Sequence, residues 1–435
     1  MTKHSALPPR AFGGFVVTEH RFALPLRPDG SGEIEVFARE VRDAERDSSR
    51  FPWLVFLQGG PGHGAPRPTE KSGWIGRAVE NFRVLLLDQR GTGLSTPVSA
   101  QALARLETPE AQAEYLSQHR SDAIVRDCEA IRRELAGDEP WTVLGQSYGG
   151  FCATRYLSAA PEGLAGVLIT GGLPPLSAHP DDIYRRTYRI VRERNGLYYE
   201  RYPEDVEHVR RIVELLDARD VRLPSGDRLS PRRFQTLGIQ LGFSDGFEVL
   251  HNLFEQAFVP GSDGFAYGFL RAVENASTYD VHPIFSLLHE ACYTQGFASR
   301  WSAQRVRAEF PEFEPDRADG PVLLTGEMIY PWKLEEIGAL RPLRAAGELL
   351  AEKEDWPTLY DPARLAANDV PAAAAVYVHD MYVEVELSKE TAAAIRGLRP
   401  WVSEEHLHNA LRSDGPAVLH RLLASVSESA QEHAV

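Results

Sequence analysis

Apolar residues fall along this chain in two alternating rhythms. Near the start, "FVVTEHRFALPL" and "GEIEVFAREV" step between apolar and polar positions, with the turn-rich "RPDGSG" between them. That is the period of half-buried strands, and it predicts an antiparallel hairpin. Two uniformly apolar runs follow, "WLVFLQGG" at 53–60 and "FRVLLLDQRG" at 82–91. Such runs suit strands covered on both faces, as in a parallel sheet flanked by helices. The period then lengthens: "DAIVRDCEAIRREL" at 122–135 puts Ile124, Val125, Cys128, Ile131 and Leu135 on one helical face. "WTVLGQS", a helix from Phe151, and "LAGVLIT" at 164–170 continue the alternation of strand and helix. The pattern indicates an α/β sheet.

After "GGLPPL" the character changes. Residues 178–350 are rich in Arg, Glu, Tyr and Phe, and "DDIYRRTYRIVRERNGLYYERY" and "PEDVEHVRRIVELLDARD" read as amphipathic helices. Only "GPVLLTGEMIYPW" at 320–332 looks like a strand, running into a turn. The sheet pattern resumes with "VPAAAAVYVHDMYV" at 370–383, then a short helix "KETAAAIRGL", a brief strand "RPWVS" and a C-terminal helix. The expected organisation is a core in two parts, 1–177 and 351–435, with a mainly helical cap domain, 178–350, inserted between them.

Length and composition narrow the class. At 435 residues, a core with a large insertion is the natural expectation, and hydrophobic and charged fractions of 43% and 25% are those of an ordinary globular chain. A net charge of −15 leaves no basic stripe for a nucleic acid. No run of about 18 apolar residues offers a membrane span, and no apolar segment near Met1 reads as a signal peptide. Cys128, Cys152 and Cys292 are scattered, odd in number and without metal spacing. They read as buried thiols in a reducing compartment, so a cytoplasmic location is expected.

The chemistry begins at "VLGQSYGGFCATRY", residues 143–156. Gly145, Gly149 and Gly150 surround Ser147 at the junction of a strand and a helix, where a sharp turn tolerates little beyond glycine. Gly-x-Ser-x-Gly in that setting is a nucleophile elbow. A serine hydroxyl needs a base to take its proton, and the base needs a carboxylate to hold its tautomer. In chain order the carboxylate and then the histidine follow the serine. Asp380 closes the run "AAAAVYVHD", where a strand delivers it to the carboxyl edge of the sheet, beside the elbow. His408, 28 residues on in "EEHLHNALR", leaves room for one helix and one strand between them. His406 is the rival base, and Glu327, ending "PVLLTGE", the rival acid; His379 would point to the opposite side of the strand from Asp380. For the oxyanion, "QGGPGHG" at 58–64 offers the Gly59 N–H, which pairs with the Tyr148 N–H after the nucleophile. A serine at 147 rather than a carboxylate argues against an epoxide hydrolase.

Together, "LQGGPG", "LLLDQRGTGLSTP", "IVRDCEAIR" and "GQSYGG" resemble the proline iminopeptidases, serine peptidases with an α/β-hydrolase fold. The likeness is dense over 52–172 and returns over 370–412; between them only "LLHEACYTQG" and "TGEMIYPW" stand out, and the rest resembles the family's helical cap only in kind. The resemblance implies a mostly parallel sheet with flanking helices. It also implies release of an N-terminal residue, preferably proline, from small peptides or amino-acid amides with a free N-terminus, through an acyl-enzyme on Ser147 and with no metal or organic cofactor. Cap carboxylates hold the substrate's amino group in that family. Glu290 and Glu327, among the aromatics Tyr293, Phe297, Tyr330 and Trp332, are the candidates here, with Gly60 beside them; the alternative is that the two glutamates bridge Arg300 or Arg305. Two departures stand out. Gln58 occupies the family's usual histidine position, and Tyr148 replaces a frequent tryptophan, which could alter the wall of the proline pocket. Asp88, Arg90 and Ser95 are expected to brace the loop beside the oxyanion strand. The competing readings are an esterase or amidase indifferent to a free amine, and a non-catalytic binding protein on the same fold.

Overall fold

The structure, a computed structural model, describes residues 3–316 and 320–433. Ten strands form one sheet: β1 (Lys3–Ala6), β2 (Arg10–Phe12), β3 (Phe15–Pro25), β4 (Glu33–Asp43), β5 (Trp53–Leu57), β6 (Arg83–Asp88), β7 (Trp141–Gln146), β8 (Leu164–Thr170), β9 (Ala372–Tyr377) and β10 (Leu398–Ser403). Their order is β1-β3-β4-β6-β5-β7-β8-β9-β10, with β2 paired to β3. The six strands from β6 to β10 along this path run parallel, and the hairpin β3–β4 joins them antiparallel, Phe15 facing Asp43 and Pro25 facing Glu33. This is the mostly parallel sheet that the apolar runs foretell.

Strand pleating divides the core in two. Trp53, Val55 and Leu57 point to the face covered by the helices Ser121–Ala136 and Tyr148–Ala159; Leu54 and Phe56 point to the face covered by Gly73–Ala78 and the C-terminal helix Gly415–His433. Ile124, Val125, Cys128 and Ile131 are buried as their spacing requires, with Leu135 packed at the margin. Each parallel strand ends at the same edge, so the loops after β5, β7 and β9 meet there.

The chain between β8 and β9 contributes no strand to the sheet among the described residues and is mainly helical, beginning with Pro180–Arg201 and Asp205–Ala218. Here one expectation fails. Residues 320–332 form no strand, although their composition suits one. Side chains take over the work of a neighbouring ladder: the Leu324 N–H donates to Asn195 Oδ1 at 2.8 Å, Asn195 Nδ2 donates to the Leu324 carbonyl at 2.8 Å, and Gln235 Nε2 donates to the Leu323 carbonyl at 2.8 Å. The Thr325 N–H reaches the Gln235 carbonyl at 2.8 Å, and the Tyr199 hydroxyl donates to the Val322 carbonyl at 2.6 Å. Burial without a partner strand is therefore tolerated, because every one of these backbone groups is satisfied.

Asn195→Leu keeps the volume of this buried residue but strands both polar groups of Leu324. The expected loss is about 3 kcal/mol, from unpaired buried groups worth roughly 1–3 kcal/mol each, read as a lower urea midpoint at unchanged slope.

Candidate active site

Ser147 sits between β7 and the helix Tyr148–Ala159 with φ 55° and ψ −124°, a backbone that non-glycine residues rarely adopt. Close packing of the next turn holds it there. A Cβ on Gly149 would overlap the Leu57 carbonyl at the end of β5, so only glycine lets the helix start this near the sheet. The Ser147 N–H donates to the Thr170 carbonyl of β8 at 3.0 Å, fixing the turn from the other side.

Asp380 lies three residues beyond β9 and is 1% exposed. One carboxylate oxygen accepts the Tyr382 N–H at 2.8 Å and the Val383 N–H at 3.0 Å; the other accepts from His408 Nδ1 at 2.7 Å. With Asp380 ionised, Nδ1 carries the proton and Nε2 is left as the basic nitrogen. Burial pulls the His408 imidazole down, but the Asp380 charge, the hydrogen bond to it and the Glu327 carboxylate outweigh burial and hold it above the ordinary histidine value. Neither rival takes the place of Asp380 or His408. His406 pairs with Ser403 Oγ at 2.9 Å and Asp414 at 3.2 Å, and Glu327 makes no hydrogen bond to His408.

Ser147 and His408 line one cavity of about 670 Å³, together with Gln58, Gly59, Gly60 and Glu327. Gly59 packs against the nucleophile: a Cβ on it would lie 2.8 Å from Ser147 Cβ. The Tyr148 N–H opens its helix and so has no intrahelical acceptor. The loop after β5 is braced as its sequence suggests. Asp88 accepts the Ala65 N–H at 2.9 Å and the Leu94 N–H at 2.8 Å and pairs with Arg67; Arg90 grips Asp127 through two bonds of 2.7 and 2.6 Å; Ser95 Oγ donates to the Asp88 carbonyl at 2.6 Å.

Of the carboxylates lining the cavity, Glu70 is exposed and Glu327 is 16% exposed. Burial, with Asp380 nearby, pushes Glu327 up to about 8, against the opposing pull of His408 and Lys333. His289 stands 3.9 Å away, but burial, with Lys333, holds that imidazole down to about 3, so it is neutral and balances no charge. Lys333 is itself held down to about 7 by burial and Arg233, its Nζ 4.9 Å from the Tyr279 ring centre. Glu327 thus faces the cavity with no strong cation of its own.

The other pocket residues expected from sequence lie elsewhere. Glu290 does not line the cavity; its two oxygens accept the Ser302 and Ala303 N–H groups at 2.9 Å each, capping the helix Ser302–Arg307. Tyr330 donates to or accepts from the Tyr188 hydroxyl at 2.8 Å and stacks on Trp332 at 5.2 Å, and Tyr293 packs edge-on to Phe151 at 5.7 Å. None of these three rings lines the cavity, nor does Tyr148, whose ring is buried in the core. The aromatic lining is Phe56, Trp74, Phe243, Tyr279, Phe285 and Tyr382. Tyr279 stacks on Phe285 at 4.7 Å, and Tyr382 lies 4.5 Å from the His408 ring. Asp380-Met-Tyr382 could have flagged one of them; Tyr279 and Phe285 sit in "STYDVHPIF", which carries no signature.

The insertion also fastens onto the histidine loop. The Ser244 N–H donates to Asn409 Oδ1 at 3.0 Å, Asn409 Nδ2 donates to Ser244 Oγ at 3.1 Å, and Arg412 reaches both oxygens of Asp245 at 3.0 and 3.3 Å. The Tyr382 hydroxyl donates to the Ile239 carbonyl.

Residues 52–215 match the alpha/beta hydrolase fold family. Over 407 residues the chain is 46% identical to the proline iminopeptidase of Aeromonas sobria, covering 93% of this chain and 95% of that protein. It is 37% identical over 422 residues to proline iminopeptidase aneH of Aspergillus aculeatus, covering 94% and 93%. The chain belongs to the proline iminopeptidase family. Coverage this complete takes in the helical insertion, where sequence inspection finds only two segments with family character.

Replacing Asp380 by Asn removes the charge and the charged hydrogen bond that raise the His408 imidazole most, and leaves only Glu327 to oppose burial. The His408 midpoint, followed by NMR of the ring protons, is expected above 6.5 in the native protein and to move to lower pH in Asp380→Asn.

Proposed function

We propose that the chain is a serine aminopeptidase that releases an N-terminal residue, preferably proline, from short peptides and amides. His408 Nε2 takes the Ser147 proton as Oγ attacks the carbonyl of that residue, and the Gly59 and Tyr148 N–H groups receive the oxyanion. His408 then protonates the leaving amine, and water releases the acyl group by the reverse proton path. The observation that carries the reading is Glu327, a nearly buried carboxylate without a strong cation partner, in the same cavity as Ser147 and His408. A substrate ammonium supplies the missing charge in a poorly screened setting, and the rings of Tyr279, Phe285 and Tyr382 suit a pyrrolidine. The helical insertion, which provides Glu327 and two of those rings, acts as the cap. Three free, buried cysteines accord with a cytoplasmic setting. No helix among the described residues is long and apolar enough to cross a membrane.

The sign of the pH effect follows from Glu327. Held up to about 8, it is protonated at pH 6 and must lose its proton to accept an ammonium, so KM for proline β-naphthylamide falls as pH rises from 6 toward 8. Glu327→Gln is expected to raise KM roughly 100-fold, the worth of a charge-assisted pair, and to flatten that dependence. The N-acetylated substrate is expected to resist cleavage; equal turnover of blocked and free forms would instead favour the esterase or amidase reading. A fluorophosphonate probe is expected to label the native protein and not Ser147→Ala, an outcome a non-catalytic binding protein does not give.

A further inference from the structure

Gly59 is buried, and a buried N–H requires an acceptor. In this structure the acceptor is the side chain of the preceding residue: the Gly59 N–H donates to Gln58 Oε1 at 2.9 Å. The Gln58 main chain is held in place, its carbonyl accepting from Gln89 Nε2 at 3.1 Å, so the amide reaches Gly59 by folding back on its own backbone. Gln58 lines the cavity with Ser147, and its NH₂ group has no protein acceptor among the described residues. The corner that receives the oxyanion therefore already holds a neutral oxygen, with two unused N–H bonds attached to the same amide.

We propose that Gln58 is a further catalytic residue, a side-chain donor to the oxyanion that turns from acceptor to donor when substrate displaces it from Gly59. The inference rests on the reading of Ser147 as nucleophile and of Gly59 as an oxyanion donor. In the step concerned, the bond from Ser147 Oγ to the carbonyl carbon forms, the C=O π pair moves onto oxygen, and the serine proton goes to His408 Nε2. That oxygen takes the place of Oε1 at the Gly59 N–H. The side chain must first draw back about its inner torsions by roughly a hydrogen-bond length and then turn about the last one, so that Nε2 and not Oε1 faces that oxygen. Displacement of a neutral acceptor by a neutral substrate carbonyl gains little, whereas a charged oxygen gains both the Gly59 bond and the Gln58 bond. The benefit is confined to the transition state, so it enters kcat and not KM.

The test is steady-state kinetics on proline β-naphthylamide for the full chain and three variants, alongside the rate of fluorophosphonate labelling, which builds the same oxyanion. Gln58→Leu, without a donor, is expected to lower kcat roughly 30-fold, at the modest end for loss of one oxyanion donor, with KM within about threefold and labelling slowed in parallel. Gln58→Glu, which accepts but cannot donate when ionised, should fall at least as far. Gln58→His, which restores a side-chain N–H, should recover most of kcat. The Glu and His variants keep a polar group beside Gly59 and so read the role even if the Leu variant does not fold. Unchanged or raised kcat and labelling in Gln58→Leu would overturn the proposal, since the amide would then be a mere plug; so would a His variant no better than the Leu variant. A native protein that the probe does not label at Ser147 would remove the underlying nucleophile reading as well, and is told apart by that result alone.

Discussion

The site depends on backbone packed against backbone. At Gly149 the helix that follows Ser147 begins in contact with the end of β5, and Ser147, two residues earlier, is held at φ 55° and ψ −124°. Strain of this kind costs on the order of 1–3 kcal/mol and persists only where the surroundings overdetermine it. Here the surroundings are two parallel strands and a helix, each fixed by its own ladder or core face. The same tightness that distorts Ser147 puts the Gly59 backbone against it, so the hydroxyl and the amide are placed together.

Two largely buried carboxyls near His408 stand in different surroundings. Asp380 accepts three hydrogen bonds and holds the neighbouring imidazole above its ordinary value. Glu327 shares its surroundings with two groups that burial has also pushed toward neutrality, His289 and Lys333. One carboxyl is thus fully hydrogen-bonded behind His408, and the other faces the cavity.

Much of this was legible in the sequence, for local reasons. Continuous apolar runs marked the parallel strands because both their faces are covered, and the elbow announced itself because a turn so crowded demands glycine. Asp380 and His408 could be proposed from their places after strands at the catalytic edge. The insertion was another matter. Residues 320–332 read as a strand, since composition reports burial and not the identity of the hydrogen-bond partner, which proved to be Asn195 and Gln235 from helices far earlier in the chain. Glu290 and Glu327 looked alike in one dimension; only the fold separates a carboxylate spent on two helix N–H groups from one facing open space. Tyr293, Tyr330 and Trp332 are close to those glutamates in sequence, yet their rings are buried away from the cavity, and Tyr279 and Phe285 line it instead.

The pairings of Ser244 with Asn409 and of Asp245 with Arg412 carry a consequence for how such a protein could change over evolutionary time. Asn409 directly follows the histidine that Asp380 orients. The roof is thus knotted to the machinery it shelters, and trading it for the roof of another hydrolase would unmoor the proton carrier as well as recut the binding chamber.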